Sequence, residues 1–160
     1  MGRAIYVSSV NGDDANSGYA PEKAFRSLRK VNQMEIQPGD QILLERGSVF
    51  VGEYLHLYRG GTKEAPVVVD AYGEGALPRI ETDGNGIWYQ NYGGHLDNVV
   101  HIWKGYLSSA VLLYDAEYIS IRNLEITNNP CVKNERLNQA DRMNRTGVSV
   151  IAKNHGTLHE

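Results

Sequence analysis

The stretch from Tyr118 to Asn129 reads Tyr-Ile-Ser-Ile-Arg-Asn-Leu-Glu-Ile-Thr-Asn-Asn. It contains two very short runs of alternating apolar residues, a pattern typical of β-strands, joined only by Arg122-Asn123. A two-residue hairpin favours Gly or an Asn-Gly pair, because its turn needs positive φ angles, and Arg-Asn is a poor match. We therefore interpret the joint as a corner between two strands of a solenoid, where an Asn amide can stack on the coils above and below.

The same pattern recurs along most of the chain as short apolar pairs separated by turn-forming residues. In order, these pairs are Ile42/Leu44, Leu55/Leu57, Val67/Val69, Val111/Leu113, Ile119/Ile121, Leu124/Ile126 and Val148/Val150, with Ile80 between the third and the fourth. Strands of three or four residues are too short for an ordinary β-sandwich. One rung per coil suits a parallel β-helix, in which a coil buries its apolar face only by stacking on a neighbour. We expect an all-β fold of this kind.

The first 40 residues are expected to cap the N-terminal end of the stack. Ile5-Tyr-Val-Ser8 predicts a first strand, and the segment from Asn11 to Gly18 is a cluster of turn formers. Apolar residues then recur at helical spacing, which predicts one amphipathic α-helix from about Pro21 to Met34. Such a helix would cover the edge strands and the end of the core.

Two long insertions interrupt the coils. The first, Thr82 to Ser109, is rich in Gly and aromatic residues, and the second, Asn128 to Thr146, is polar and charged. In solenoids such insertions form loops on one side, which is often the binding side.

Composition excludes several classes of partner. Charge is nearly balanced, at 16 Lys and Arg against 19 Asp and Glu in 160 residues, so nucleic acid is not an expected partner. No segment has the length and apolarity to span a bilayer.

The single cysteine, Cys131, excludes an internal disulfide, and the five histidines lack metal-ligand spacing: His56, His95, His101, His155 and His159. The length suits one domain, residues 1–160, with the cap in residues 1–40.

Seven motifs carry a resemblance to a known group. They are Ile5-Tyr-Val-Ser8, Asn11-Gly-Asp-Asp-Ala-Asn-Ser-Gly18, Ala24-Phe-Arg-Ser-Leu28, Pro38-Gly-Asp-Gln-Ile-Leu-Leu44, Pro66-Val-Val-Val-Asp-Ala-Tyr-Gly-Glu-Gly75, Tyr118-Ile-Ser-Ile-Arg-Asn-Leu-Glu-Ile-Thr-Asn128 and Arg145-Thr-Gly-Val-Ser-Val150. They resemble the N-terminal cap and following coils of pectate-lyase-like right-handed parallel β-helix proteins. The resemblance implies a single-stranded solenoid and a bacterial, secreted, carbohydrate-active protein, located outside the cell or in the periplasm. It also implies a glycoside hydrolase or a polysaccharide lyase, with the hydrolase-like members as the closer match.

The end of the chain predicts that coils are missing. Val148-Ser-Val-Ile151 starts another rung, and the segment from Gly156 to Glu160 adds no capping element. An uncapped stack exposes an edge and an apolar end. Because members of the resembled group are usually several times longer, we expect this chain to be the N-terminal part of a longer protein, with its C-terminal coils as a partner.

Catalysis is expected to lie mainly outside this chain. If the valine and leucine pairs of the later rungs point inward, the outward positions hold no base and no paired acids; they are Leu112, Tyr114, Ser149 and Ile151. A glycoside hydrolase needs two carboxylates that flank the scissile bond. The candidates are Asp115 and Glu117, two residues apart after a rung, and Asp141 in the second insertion. The alternative interpretation is a solvated corner in which the Asp caps a turn.

Two further groups are candidates for binding. Trp88, Tyr89, Trp103 and Tyr106 could form a platform on which sugar rings stack, or could anchor the first insertion to the solenoid. The loop containing Asp13, Asp14 and Asn16 offers hard oxygen ligands for calcium, although a turn that satisfies its own backbone is the preferred interpretation. No other cofactor is expected.

The leading hypothesis is therefore the N-terminal part of a secreted, polysaccharide-degrading glycoside hydrolase. The alternatives are a polysaccharide lyase, a non-catalytic carbohydrate-binding module, and a purely structural fragment. The protein is expected to act on a polysaccharide or oligosaccharide in each of the catalytic cases.

Overall fold

The computed structural model describes residues 2–91, 104–129 and 144–153, and in this part almost all of the regular secondary structure is β-strand. The strands are β1 (Ala4–Val7), β2 (Gln41–Glu45), β3 (Val49–Val51), β4 (Leu55–Leu57), β5 (Val67–Tyr72), β6 (Arg79–Glu81), β7 (Ile87–Asn91), β8 (Lys104–Tyr114), β9 (Ile119–Ile121), β10 (Glu125–Thr127) and β11 (Asn144–Ile151). A one-turn 3-10 helix (Pro21–Lys23) and a short α-helix, α1 (Leu28–Asn32), lie between β1 and β2.

The strands form three sheets that the chain visits in turn. The first sheet has the order β1-β2-β5-β9, the second β3-β6-β10 and the third β4-β8-β11. All neighbours in these sheets pair in parallel, whereas β7 pairs with β8 in the antiparallel direction. Three parallel sheets visited in a fixed order fit a parallel β-helix.

The corner predicted at Arg122-Asn123 is confirmed. Strand β9 lies in the first sheet and β10 in the second, so the joint turns the chain from one sheet to the next. Asn123 adopts φ 56°, a left-handed conformation that Asn tolerates better than most residues. Its amide donates to Asp70 Oδ1 at 2.8 Å, and Arg122 Nε donates to Asp70 Oδ2 at 2.7 Å, so the corner is tied to the preceding coil through a carboxylate.

Inward side chains stack in register from coil to coil. The ladders are Ile5–Ile42–Val69–Ile121 in the first sheet, Phe50–Ile80–Ile126 in the second, and Leu55–Val111–Val148 and Leu57–Leu113–Val150 in the third. The early members of each ladder are buried, whereas Val148 and Val150 are 49% and 58% exposed. Within the described residues, the last strand of the third sheet therefore leaves an apolar face uncovered, called here the open end.

The prediction of one helix from Pro21 to Met34 is wrong. Ala24 and Ser27 are extended, with ψ 146° and 150°, and they separate the 3-10 turn from α1. Phe25 instead pairs with β1: its N–H donates to Tyr6 O at 2.9 Å, and its carbonyl accepts from Ser8 N at 2.8 Å. These tertiary hydrogen bonds replace the helical ones, although Phe25 is still buried against the core.

The short helix α1 contacts β4 at the edge of the third sheet, but the described residues show no helix of the predicted kind that caps the N-terminal end of the stack. Asn32 receives the N–H of His56 on Oδ1 at 2.9 Å and donates from Nδ2 to Tyr54 O at 2.9 Å. One side-chain amide thus pairs the free edge of β4 as a neighbouring strand would, which protects that edge. Within the described residues, no helix has the length and apolarity to cross a membrane.

Candidate functional site

The hairpin formed by β7 and β8 belongs to the third sheet, because β8 also pairs with β4 and β11. Trp88, which lies on β7, is only 8% exposed and packs with Leu112 and Ile151 in a small apolar cluster separate from the main core. Leu112 and Ile151, which were expected to point outward, therefore do point outward, but the hairpin covers them. The Trp88 ring is enclosed, so its position supports the anchoring interpretation.

A cluster of hydroxyl groups lies beneath the Trp88 indole. Trp88 Nε1 donates to Ser109 Oγ at 2.8 Å, and Ser109 Oγ lies 2.7 Å from Thr146 Oγ1 and 2.9 Å from Ser149 Oγ. Thr146 and Ser149 are themselves 2.7 Å apart, so the three hydroxyls close a ring. Each oxygen has partners, and the cluster joins β8 to β11.

His56 lies on the same side of the third sheet, on β4. Its Nε2 is 2.8 Å from the carbonyl oxygen of Ser109, and its side chain is buried. Burial lowers the pKa of the imidazole, although the contact with Ser109 acts in the opposite direction. A neutral imidazole that donates to a buried carbonyl is a packing arrangement, and it ties β4 to β8.

An exposed aromatic pair lies on the outer face of the hairpin. Tyr89 and Tyr106 face each other across the antiparallel ladder, with ring centroids 5.0 Å apart in an edge-to-face arrangement. They are 49% and 67% exposed, and Ile87 is exposed beside them. Of the four aromatic residues predicted to bind sugar, these two present open rings; Trp103 lies outside the described residues.

The candidate acids mostly have structural contacts. Asp115 adopts φ 49°, donates its N–H to Ile151 O at 2.8 Å, and accepts from Lys153 N at 2.7 Å on Oδ1. Glu117 accepts the N–H of Gly61 on its backbone carbonyl at 2.9 Å. The carboxylate contact favours the corner interpretation for Asp115, whereas the Glu117 contact is made by its backbone and does not concern its carboxylate. Asp141 lies outside the described residues.

The polar side chains of the loop considered for calcium are engaged in hydrogen bonds, most of them with residues 24–27. Asp14 Oδ1 accepts from the N–H groups of Arg26 and Ser27, both at 2.9 Å, and Oδ2 accepts from Ser27 Oγ at 2.7 Å. Burial by itself would raise the pKa of Asp14, but these hydrogen bonds outweigh it and hold the pKa below its usual value. Asp13 Oδ1 accepts from Ala15 N, and Asn16 Nδ2 donates to Ala24 O. No group of three or more His, Cys, Asp or Glu side chains placed to hold a metal occurs in the described part of the chain.

Asn128 joins the bases of both insertions, a role that its sequence context did not reveal. Its Oδ1 accepts from Gly84 N at 2.8 Å, near the start of the first insertion. Its Nδ2 donates to Ser108 O at 3.1 Å, at the end of that insertion, and to Thr146 O at 3.0 Å, at the end of the second. One amide thus holds the points where both insertions leave and rejoin the coils.

The chain is similar to part of several known carbohydrate-active proteins. The chain is 38% identical to the lacto-N-biosidase of Bifidobacterium longum subsp. longum over 181 residues, which cover 98% of this chain and 11% of that protein. Two crystal structures of GH136 lacto-N-biosidase from Eubacterium ramulus are 56% and 55% identical, with TM-scores of 0.91 and 0.90. They cover 100% and 99% of this chain, which spans 26% and 25% of their length.

A rhamnogalacturonan lyase is similar in fold alone, at a TM-score of 0.50 and 14% identity over 77% of this chain and 28% of that one. No family model matches the chain. The close relatives are therefore glycoside hydrolases, and this chain corresponds to a fraction of them. The expected kinship with pectate-lyase-like proteins stays a prediction.

Proposed function

We propose that this chain forms the cap and first coils of a glycoside hydrolase built as a right-handed parallel β-helix, and that the complete protein is a lacto-N-biosidase. The observation that carries the proposal is 56% identity over the whole chain to the Eubacterium ramulus enzyme, at a TM-score of 0.91. The substrate is then an oligosaccharide, and its glycosidic bond is cleaved by hydrolysis. We further propose that the enzyme works outside the cell or in the periplasm.

We propose that the catalytic carboxylates belong to later coils. Asp115, a catalytic candidate within the described residues, supports this, because its carboxylate is engaged by the backbone N–H of Lys153 at a corner. Hydrolysis needs one carboxyl group as an acid and a second as a base or nucleophile, and carboxylates fixed by backbone donors are poor proton donors. The role of this chain is then to start the solenoid and to hold the insertions.

The proposed later coils would stack on the open end. Val148 and Val150 continue the inward ladders of the third sheet, and Ile121 and Ile126 end the ladders of the other two. A further coil would bury these side chains as Val111 and the other earlier members are buried.

The test compares this chain with a version extended by the residues that follow it in its gene. Each is incubated with a chromogenic lacto-N-bioside and, separately, with a panel of uronate polysaccharides. We expect the extended protein to release the chromophore and this chain alone to be inactive. Unsaturated products from the uronate panel would indicate elimination instead, and hydrolysis by this chain alone would contradict the placement of catalysis. Detection of the protein only in the cytosolic fraction of its host would contradict the proposed location.

A second candidate function is carbohydrate binding without turnover, which the exposed Tyr89–Tyr106 pair favours. Open aromatic rings bury the apolar face of a sugar. Glycan-array binding by this chain that is lost in Tyr89→Ala and Tyr106→Ala would support this function, and an array with no bound glycan would remove it.

A further inference from the structure

A cleft of about 330 Å³ lies between the segment around α1 and the end of β4, in the third sheet. One wall is formed by residues 31–36, which include the end of α1, and the other by residues 56–59, which include the end of β4. Its size is at the lower end of the range for small-molecule sites. It therefore suits a ligand of one or two rings.

The cleft offers one large open ring. Tyr58 is 58% exposed, and its neighbour one rung further along is Tyr114, with ring centroids 5.8 Å apart at 42°. Burial of its inner part raises the pKa of Tyr58, with Tyr54 and Tyr114 acting in the same direction, so its hydroxyl stays protonated and able to donate. Ile36 and Leu57 are buried and make the deeper wall apolar.

The polar groups available to a ligand are at the rim. Arg59 and Glu35 form an ion pair of 2.6 Å across the mouth, and both side chains are well exposed. The deeper polar groups are already used, since Asn32 pairs the edge of β4 and His56 Nε2 contacts the Ser109 carbonyl. The Arg59 guanidinium is a hydrogen-bond donor and the Glu35 carboxylate beside it is an acceptor, so the pair matches neighbouring hydroxyl groups of a ligand. An anion, by contrast, would have to displace Glu35 from Arg59.

We propose that this cleft binds a single pyranose ring of a neutral oligosaccharide, with Tyr58 under the apolar face of the sugar and the Arg59–Glu35 pair on its hydroxyls. The site does not include the hairpin tyrosines Tyr89 and Tyr106. It lies on the side of the third sheet that carries Tyr114, and this side extends towards the open end. The choice of sugar rests on the proposed function, whereas binding itself does not require the later coils.

The experiment titrates this 160-residue chain with lacto-N-biose, lactose and cellobiose by isothermal calorimetry and saturation-transfer NMR. We expect a dissociation constant of about 1 mM for at least one disaccharide, because one ring and a solvated rim make few contacts. Tyr58→Ala should weaken binding about fivefold, the typical effect of an aromatic contact, and Tyr58→Phe should retain most of it. Tyr19→Ala, which removes a tyrosine of similar exposure that does not line the cleft, is the matched control and should bind as the parent chain does.

Arg59→Ala provides a second variant, because an exposed rim residue is removed without touching the core. It should also weaken binding, and thermal unfolding of each variant checks that the fold is kept. Absence of binding to all three disaccharides at millimolar concentration would overturn the proposal, as would binding lost in Tyr89→Ala and kept in Tyr58→Ala. Failure of the extended protein to hydrolyse a lacto-N-bioside, with binding at Tyr58 intact, would reject the proposed enzyme activity and leave this site standing.

Discussion

Asp40 is a fully buried carboxylate that fastens the start of the chain to the second coil. Its Oδ1 accepts from Arg3 N at 2.9 Å, its Oδ2 accepts from Gln37 N at 2.9 Å, and the Arg3 guanidinium binds both oxygens. Burial alone would raise the pKa of Asp40, but the hydrogen bonds from Arg3 and Gln37 outweigh it and lower the pKa below its ordinary value of 3.8. The carboxylate is therefore stabilised in its charged form.

Replacing this charge should destabilise the protein in a pH-dependent way. Asp40→Asn leaves the Arg3 guanidinium without its partner, and we expect a loss of about 3 kcal/mol in the free energy of unfolding at pH 7. Because the folded pKa lies below the unfolded one, this contribution is complete above pH 3.8 and is lost as the pH falls through the folded pKa. Urea unfolding at pH 7, 5 and 3 measures the difference, which should shrink only at the lowest pH.

The control for Asp40 is Glu22→Gln, which removes an exposed carboxylate at the 3-10 turn and should change stability by less than about 0.5 kcal/mol. The charge-based explanation would be contradicted if Asp40→Asn lowered the free energy of unfolding by the same amount at all three pH values.

Asn128→Ala should loosen the bases of both insertions together. The change removes the shared partner of the Gly84 N–H and of the carbonyls of Ser108 and Thr146. We expect the free energy of unfolding to fall by about 2 kcal/mol. Hydrogen exchange should quicken at Gly84 more than at amides of the first sheet. Asn129→Ala, the exposed neighbour, is the matched control. Equal exchange in the two variants would show that the amide does not hold the joint.

At the scale of elements, the hairpin of β7 and β8 depends on one enclosed ring. Trp88→Ala removes the side chain that covers Leu112 and Ile151 and the donor to Ser109, so we expect a loss of about 3 kcal/mol. Tyr89→Ala alters the exposed face of the same strand and should cost less than about 1 kcal/mol. Thermal unfolding of the two variants measures the contrast; equal melting temperatures would mean that the hairpin is not anchored through Trp88.

Short elements differ in how well local pattern predicts them. The strands around Ile42, Val67 and Ile119 were predicted, because alternation with period two is a local property. Strand β7 was missed, since its exposed face carries Ile87 and Tyr89 and so its sequence does not alternate apolar with polar. The segment around Phe25 has helical spacing but is extended, because β1 supplies backbone partners that no local pattern records.

At the scale of the whole molecule, we expect the open end to govern association. Val148 and Val150 are exposed although they continue buried ladders, so this chain should self-associate at high concentration. Val148→Lys with Val150→Lys should reduce association in analytical ultracentrifugation while leaving the melting temperature within a few degrees. An unchanged sedimentation profile would mean that the open end is not the contact surface.

The same double change tests how the following coils dock. In the extended protein it would bury two lysines, and we expect the free energy of unfolding to fall by at least about 3 kcal/mol. Val51→Lys, on the exposed side of β3, should be tolerated in both lengths. Extension itself should raise the melting temperature above that of this chain, because the ladders become covered; an equal value would indicate a stack that is already complete.

The sequence alone determined the all-β class, the corner at Arg122-Asn123 and the inward positions of most rungs. These follow from side-chain alternation and turn chemistry, which act over a few residues. The tertiary structure decided which side chains those rungs leave open: it enclosed Trp88, exposed Val148, and gave Asp40 its partners. Such outcomes depend on contacts between residues far apart in the chain. The exposure of a side chain in particular depends on whether a neighbouring coil covers it.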